Sequence, residues 1–429
     1  MRLSQLTLSN YRSYQDVTIE LHPGPNVLLG NNGVGKTNIA EAVGYLSTLS
    51  SHRVTQDAPL VRHGQDQAFI RAQAHRGSQK AFLEVEINPG KSNRARINRA
   101  SPVRASEILG ILRTVVFAPE DLELIKGSPA VRRRFLDDLA VQLRPALGQV
   151  RGEYEKTLKQ RNALLKSLRF EKFTATHEST LSVWDHQLSE AGARLLRARF
   201  DMLNLLGPHV KDAYQQISQS VRSAGVQYQS SLDADSAGSA PADPTSEEDA
   251  SSADEVPDSA EPNSLLSWQV TASHEELASM MMDGLARHRR QERERALTLV
   301  GPHRDEVELK LDSTPVKGFA SHGETWSFAL ALRLAAYRVM SEDDPGAGAP
   351  ILILDDVFAE LDARRRRRLA ELAVEAEQLI VTAAVDDDVP ETLLTNALRV
   401  ESHHQLSTIV PFADAVEQPD DTAEEGYTG

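Results

Sequence analysis

The 429-residue chain contains no cysteine. Disulfides and thiolate-bound metals are therefore excluded, in agreement with a reducing cytoplasm. No apolar run approaches the roughly 18 residues of a membrane-spanning helix. Arg2, Arg12, Asp16 and Glu20 interrupt the N-terminal stretch before a signal-type segment forms, so no targeting segment is expected. Zinc-ligand spacing, a helix-turn-helix pattern and internal repeats are also missing, which argues against base-reading of nucleic acid. Basic residues are absent from two long stretches: Ser231 to Asn263 holds ten acidic residues and no basic one, and Pro411 to Gly429 holds six and none. The formal net charge of −15 becomes +1 once those sixteen carboxylates are set aside. The core is thus near neutral. An acidic insert (231–263) and an acidic tail (411–429), rich in Ser, Ala and Pro, are expected to be disordered. They read first as solubilising segments and second as charge that repels or imitates nucleic acid.

What is present begins with Gly30-Asn31-Asn32-Gly33-Val34-Gly35-Lys36-Thr37, a complete Walker A pattern. It follows the apolar Val27-Leu28-Leu29 and precedes Ile39, Ala42, Val43 and Leu46, whose spacing is one face of a helix, so the strand-loop-helix context is in place. Gly30, Gly33 and Gly35 let the backbone curl with its N–H groups towards phosphate oxygens at the positive end of that helix. Lys36 is then placed to reach the β- and γ-phosphates of ATP, and Thr37 to offer its hydroxyl to Mg²⁺.

The complementary carboxylates come much later. Ile351 to Leu354 reads as a fully buried strand ending in Asp355-Asp356, with Asp355 suited to the Mg²⁺ shell and Asp356 to orienting or deprotonating water. Earlier, Ser321-His322-Gly323-Glu324 opens a helix carrying Phe328, Leu332 and Ala335 on one face, a second helix start able to face phosphate. Between the two halves the pattern changes. Residues 1 to about 120 alternate short strands, with Leu3, Leu6, Leu8, Phe82, Val85 and Ile87 apolar. From about 129 to 225 the pattern is helical, with helices of about 40 residues at most, and so about 60 Å of arm. Another helix starts at Ser273 with a capping box to Glu276, and a strand with Val307, Leu309 and Leu311 is expected to restart the sheet. The divisions are 1–125, 126–300, 301–410 and the tail.

The order of Walker A, S-x-G-E segment, D-D Walker B and Leu361-Asp362 turn resembles an ABC/SMC-type ATPase head. Leu8-Ser9-Asn10-Tyr11-Arg12-Ser13-Tyr14, Ser51-His52-Arg53, Phe117-Ala118-Pro119-Glu120-Asp121, Gly301-Pro302-His303-Arg304-Asp305 and Lys317-Gly318-Phe319-Ala320-Ser321 resemble the RecF family in particular. The resemblance implies an α/β P-loop head assembled from both chain ends with an inserted helical lobe. It implies ATP and Mg²⁺ as cofactors and a head-to-tail homodimer formed with ATP, in which Ser321, Gly323 and Glu324 of one copy face the Walker A loop of the other. It also implies sequence-tolerant DNA binding at gaps or single-strand/double-strand junctions, and work with RecR and RecO to load RecA in recombinational repair and replication restart. Slow hydrolysis acts as a timer, with Asp356 and Lys36 as the catalytic pair, in a cytoplasmic protein without a membrane partner.

Some family features differ. Transporter-type heads carry L-S-G-G-Q where this chain has Ala320-Ser321-His322-Gly323-Glu324, and Glu where it has Asp356. No histidine follows the last core strand, where Thr382 is the nearest polar residue, and no Q-loop glutamine stands out. Weak turnover is therefore expected, with DNA binding as the main activity. Arg132, Arg133, Arg134, Arg289 and Arg290 are candidate phosphate contacts, set against a reading as acid-paired helix surface. The five arginines from Arg364 to Arg368 spread round a helix and cannot share one duplex. An SMC-like structural ATPase of chromosome maintenance is the alternative, disfavoured by the short helical middle. A transporter subunit is disfavoured because the two Walker segments stand so far apart.

Overall fold

The computed structural model describes residues 1–170, 173–218, 220–233, 265–404 and 406–411. The tail from 412 and the insert from 234 to 263 lie outside the described residues. The chain divides into two compact units, Met1–Pro119 with Pro345–Gly429, and Glu120–Asp344.

The first unit holds two six-stranded sheets. In one, the strand order is Leu406–Pro411, Ala397–His403, Gly24–Leu29, Gln378–Ala383, Ile351–Asp355, Thr114–Phe117. All neighbours are parallel except the first pair. Strands from opposite ends of the chain thus alternate within one sheet. The adjacent strands Ile351–Asp355 and Gln378–Ala383 are buried at every position, as parallel strands covered on both faces must be.

The second sheet is antiparallel, in the order Tyr14–Glu20, Arg2–Tyr11, Ala68–Arg76, Gln79–Ile87, Arg94–Ile97, Val103–Arg104. Leu3 and Leu6 have opposite parity, yet neither is exposed. A register shift between Leu3 and Gln5 explains this: Ser4 is an extra residue opposite the Ala68–Arg76 strand, and this bulge turns both leucines inward. Simple alternation sets Phe82 on the other face of its strand. Leu83, Val85 and Ile87 face the core, while Phe82 lies outward beneath the Arg99 guanidinium, 5.2 Å from its ring centre.

Helix Lys36–Thr48 is buried on nearly all sides, and one apolar core joins its Ile39, Ala42, Val43 and Leu46 to Leu3, Leu6 and Leu8 of the antiparallel sheet and to Ile353 and Ile380 of the parallel one. An all-round apolar helix is stable only when both faces are covered.

In the second unit the longest element is the 44-residue helix Ala175–Ser218, about 66 Å at 1.5 Å per residue and slightly longer than expected. Helices Ala146–Ser167, His274–Arg295 and His322–Asp343 pack along it. Ser273 caps His274–Arg295 through the expected reciprocal bonds with Glu276. The strand Glu306–Leu311 does not restart the ATPase sheet. It pairs with Ala224–Gln229 and Thr314–Pro315 in a separate three-stranded antiparallel sheet, because its partner Ala224–Gln229 is supplied by the same unit.

Buried charge ties these helices together. Arg161, wholly buried, donates to Asp185 at 2.7 Å, Glu292 at 2.6 Å and Thr298 at 2.8 Å. Arg199 forks onto Asp137 at 2.7 and 2.9 Å and reaches the Pro302 carbonyl at 2.6 Å. The Gly301–Asp305 string has a structural role here. Tyr154 Oη and His303 Nδ1 lie 2.6 Å apart, and Asp305 accepts from Tyr228 Oη at 2.8 Å and Ser231 N at 2.7 Å. Ser231 and the buried Leu232, the first residues of the expected insert, therefore belong to the described fold.

Candidate functional site

The loop between strand Gly24–Leu29 and helix Lys36–Thr48 uses glycine where geometry demands it. Gly30 has φ 150° and a Cβ there would sit 2.2 Å from the Val400 carbonyl oxygen; Gly35 has φ 111° and a Cβ would meet Ser407 Oγ at 2.5 Å and Ser13 Oγ at 2.8 Å. No side chain caps the helix at Gly35, and its first turn carries no acidic residue. Its positive end is uncompensated, the condition for binding an anion. Asn31, Asn32 and Gly33 are exposed, and Val34 and Thr37 half-buried.

Neighbouring residues clamp this loop. Tyr14 Oη donates to the Gly35 carbonyl at 3.0 Å, Ser407 Oγ to the Val34 carbonyl at 2.5 Å, and Asn38 Nδ2 to Ser13 Oγ at 2.9 Å. Sequence reasoning missed Tyr14 and Ser407. Tyr14 lies within a string already noted, but nothing local marks Ser407, whose strand reaches the loop only through the sheet order.

Lys36 is buried and folds back, its Nζ donating to the carbonyls of Gly30 at 2.7 Å and Asn31 at 3.0 Å. Burial lowers its pKa, while the charges of Asp356 and Asp355 pull the other way. The lysine and both carboxylates thus share one electrostatic neighbourhood, although they are far apart in sequence.

Asp355 closes its strand in the core, with Oδ1 accepting from Thr382 Oγ1 at 2.6 Å. Asp356 turns the chain with φ 51°, and its N–H donates to the same Thr382 oxygen at 2.9 Å. His52 Nε2 lies 3.6 Å from Asp355 Oδ2. Its neighbour Ser51 is anchored by Glu41 Oε1 at 2.5 Å, and Glu41 holds Arg12 in a two-pronged bond at 2.8 and 2.6 Å.

In the second unit Ser321 is the exposed N-cap of helix His322–Asp343. Ser321 Oγ accepts from Glu324 N at 3.3 Å, and Glu324 Oε2 accepts from Ser321 N at 2.9 Å; Arg222 adds a bond to Glu324 at 3.0 Å. Gly323 is half-buried in the first turn.

The candidate phosphate-binding arginines separate by environment. Arg132 is buried, forks onto Glu306 at 2.9 and 2.7 Å and donates to the Leu124 and Gly127 carbonyls. This corrects its assignment as a DNA contact: the guanidinium is consumed inside the fold. Arg289 is likewise committed to Glu178 and Asp185. Arg133 donates to the Asp305 carbonyl at 2.6 Å. Arg134 and Arg290 are exposed, with partners one helical turn away in Asp138 and Glu294. Along the arginine run, Arg365 pairs with Asp362, Arg366 with Asp388 and Arg368 with Glu371.

No helix among the described residues is long and apolar enough to cross a membrane. A profile of the RecF/RecN/SMC N-terminal domain matches residues 2–408. The chain is 51% identical over 396 residues to the DNA replication and repair protein RecF of Paenarthrobacter aurescens, covering 92% of this chain and 96% of that protein. It is 52% identical over 408 residues to RecF of Renibacterium salmoninarum, covering 94% and 98%. A solved structure of the recombination mediator protein RecF with ATP in the RecFOR pathway superposes with a TM-score of 0.77 at 23% identity, covering 95% of this chain and 97% of that one. This last likeness concerns the fold.

Proposed function

This chain belongs to the RecF family of DNA replication and repair proteins, and from that premise we propose that it is an ATP-gated DNA-binding protein with slow ATP hydrolysis. The observation that carries the reading is the meeting of Lys36, Asp355 and Asp356 at an uncapped helix start beneath a glycine loop. Phosphate oxygens take the open N–H groups of the loop, and Lys36 exchanges the Gly30 and Asn31 carbonyls for the β- and γ-phosphates.

The Thr37 hydroxyl and Asp355 would hold Mg²⁺, which supplies Lewis-acid polarisation of the phosphates when bound. The donors fit. They are hard oxygens, with Asp355 Oδ2 3.6 Å from His52 Nε2, and such an ion takes one or two protein oxygens and completes its shell with phosphate and water. Asp356, held by Thr382 through its backbone, orients the attacking water. Its carboxylate is one methylene shorter than glutamate, which supports slow turnover.

Ser321, Gly323 and Glu324 on a second copy close the site over the γ-phosphate, so that ATP joins two protomers head to tail. Repetition of the contact by twofold symmetry makes the dimer depend on both nucleotides. The dimer holds gapped DNA through phosphate contacts, to which the exposed Arg134 and Arg290 contribute, and acts in the cytoplasm with RecR and RecO to promote RecA loading. The test is nucleotide and DNA binding by Lys36→Ala. Loss of both supports the reading, and unchanged ATP affinity contradicts it.

A further inference from the structure

His52 is placed for a task that the nucleotide loop and the carboxylates do not themselves cover. Its Nε2 is buried, has no hydrogen-bond partner, and lies 3.6 Å from Asp355 Oδ2. A buried ring nitrogen left without a partner is costly, so an unspent one beside a functional carboxylate calls for a reason.

The ring is not there by looseness of the chain. Ser51 Oγ donates to Glu41 Oε1 at 2.5 Å and accepts the N–H groups of Arg53 at 2.9 Å and Val54 at 3.1 Å, which fixes the turn that presents His52. Among the described residues, Asp355 receives a hydrogen bond on one side, from Thr382 Oγ1 on Oδ1 at 2.6 Å. Its other oxygen points to the histidine, about half an ångström beyond bonding range. Bonds of this kind are often long without ligand and tighten when it binds.

We propose that His52 is a positioning residue for Asp355: in the nucleotide-bound state its Nε2–H donates to Oδ2, so that Thr382 and His52 grip the carboxylate from both sides. With the carboxylate unable to rotate, its remaining lone pairs face the cation site. Outer partners of this type typically change metal affinity 10–100-fold when removed. The inference rests on the reading of Asp355 as the cation-holding carboxylate.

The experiment titrates Mg²⁺ into the full chain with a fluorescent ATP analogue, and measures analogue affinity separately in EDTA. His52→Ala is expected to raise the Mg²⁺ concentration at half-effect about 10-fold and to leave the EDTA affinity unchanged. His52→Gln, which carries an N–H at the same reach, is expected to recover most of the loss. His52→Phe keeps a ring without a donor and should behave as alanine does, which covers the case of an alanine variant that does not fold. Equal Mg²⁺ dependence of His52→Phe and the parent overturns the proposal, as does a glutamine variant no better than phenylalanine. A parent chain that binds no analogue with or without Mg²⁺ overturns instead the assignment of the nucleotide site.

Discussion

Thr382 Oγ1 donates to Asp355 Oδ1 at 2.6 Å from the adjacent parallel strand. The same oxygen accepts the Asp356 N–H at 2.9 Å, so one hydroxyl aligns both residues of the acidic pair. Thr382, the polar residue nearest the place of the missing histidine, is thus tied to the acidic pair.

Thr382→Val preserves shape and removes that hydroxyl. It leaves a buried carboxylate oxygen short of a partner, at a cost of about 1–3 kcal/mol, and the Asp356 N–H with the Thr382 carbonyl at 3.3 Å. Denaturant unfolding should register that loss, and Mg²⁺-dependent nucleotide affinity should fall with it. Parent-like values in both measurements would show that the bond does not matter.

Gly35→Ala forces a side chain into a left-handed backbone and onto Ser407 Oγ at 2.5 Å. Nucleotide binding should fall at least 10-fold, since the loop can no longer hold its curl. Alanine at Gly152, where a Cβ meets nothing within 4 Å, should leave nucleotide binding untouched.

Arg161→Met strips the buried Glu292 of its cation and leaves Asp185 with Arg289 alone, and breaking such a buried pair typically costs about 3–5 kcal/mol. Arg290→Ala, at a side chain 91% exposed, should change stability by no more than about 0.5 kcal/mol while reducing the salt dependence of DNA binding. Unfolding curves for both variants, with DNA titrations at several salt concentrations for the second, separate structural arginines from binding ones.

His303 is half-buried, and desolvation depresses its pKa from 6.5 to about 3. The unfolded chain therefore binds a proton below pH 6.5 that the folded chain refuses until about pH 3. Stability contributed by the neutral ring is complete above the unfolded value and is lost as the pH falls through that window, by at most about 1.4 kcal/mol per pH unit. His303→Gln should flatten the stability profile across this range.

Much of this was legible before any fold was known. The glycine loop, the buried strand ahead of Asp355 and the capping serines at 273 and 321 are local patterns with local causes. Apolar character alone, by contrast, does not say which face of a strand is inner: Leu83, Val85 and Ile87 are buried while Phe82 lies on the other face under Arg99, and the bulge at Ser4 that turns both Leu3 and Leu6 inward has no sequence mark. Arg132 looked like a surface cation because its partner Glu306 is distant in sequence. Ser407 carries no local signal, and His52 stands in the noted Ser51-His52-Arg53 string without any sign there of what it faces. Their roles arise only when strands from both chain ends interleave in one sheet.

Sedimentation of the full chain with ATP, with ADP and without nucleotide, alongside Ser321→Arg, tests the central claim most directly. The account predicts a dimer with ATP alone, and a Ser321→Arg variant that binds ATP but stays monomeric. A parent chain that saturates with ATP and remains a monomer, or a Ser321→Arg variant that dimerises as the parent does, would contradict it.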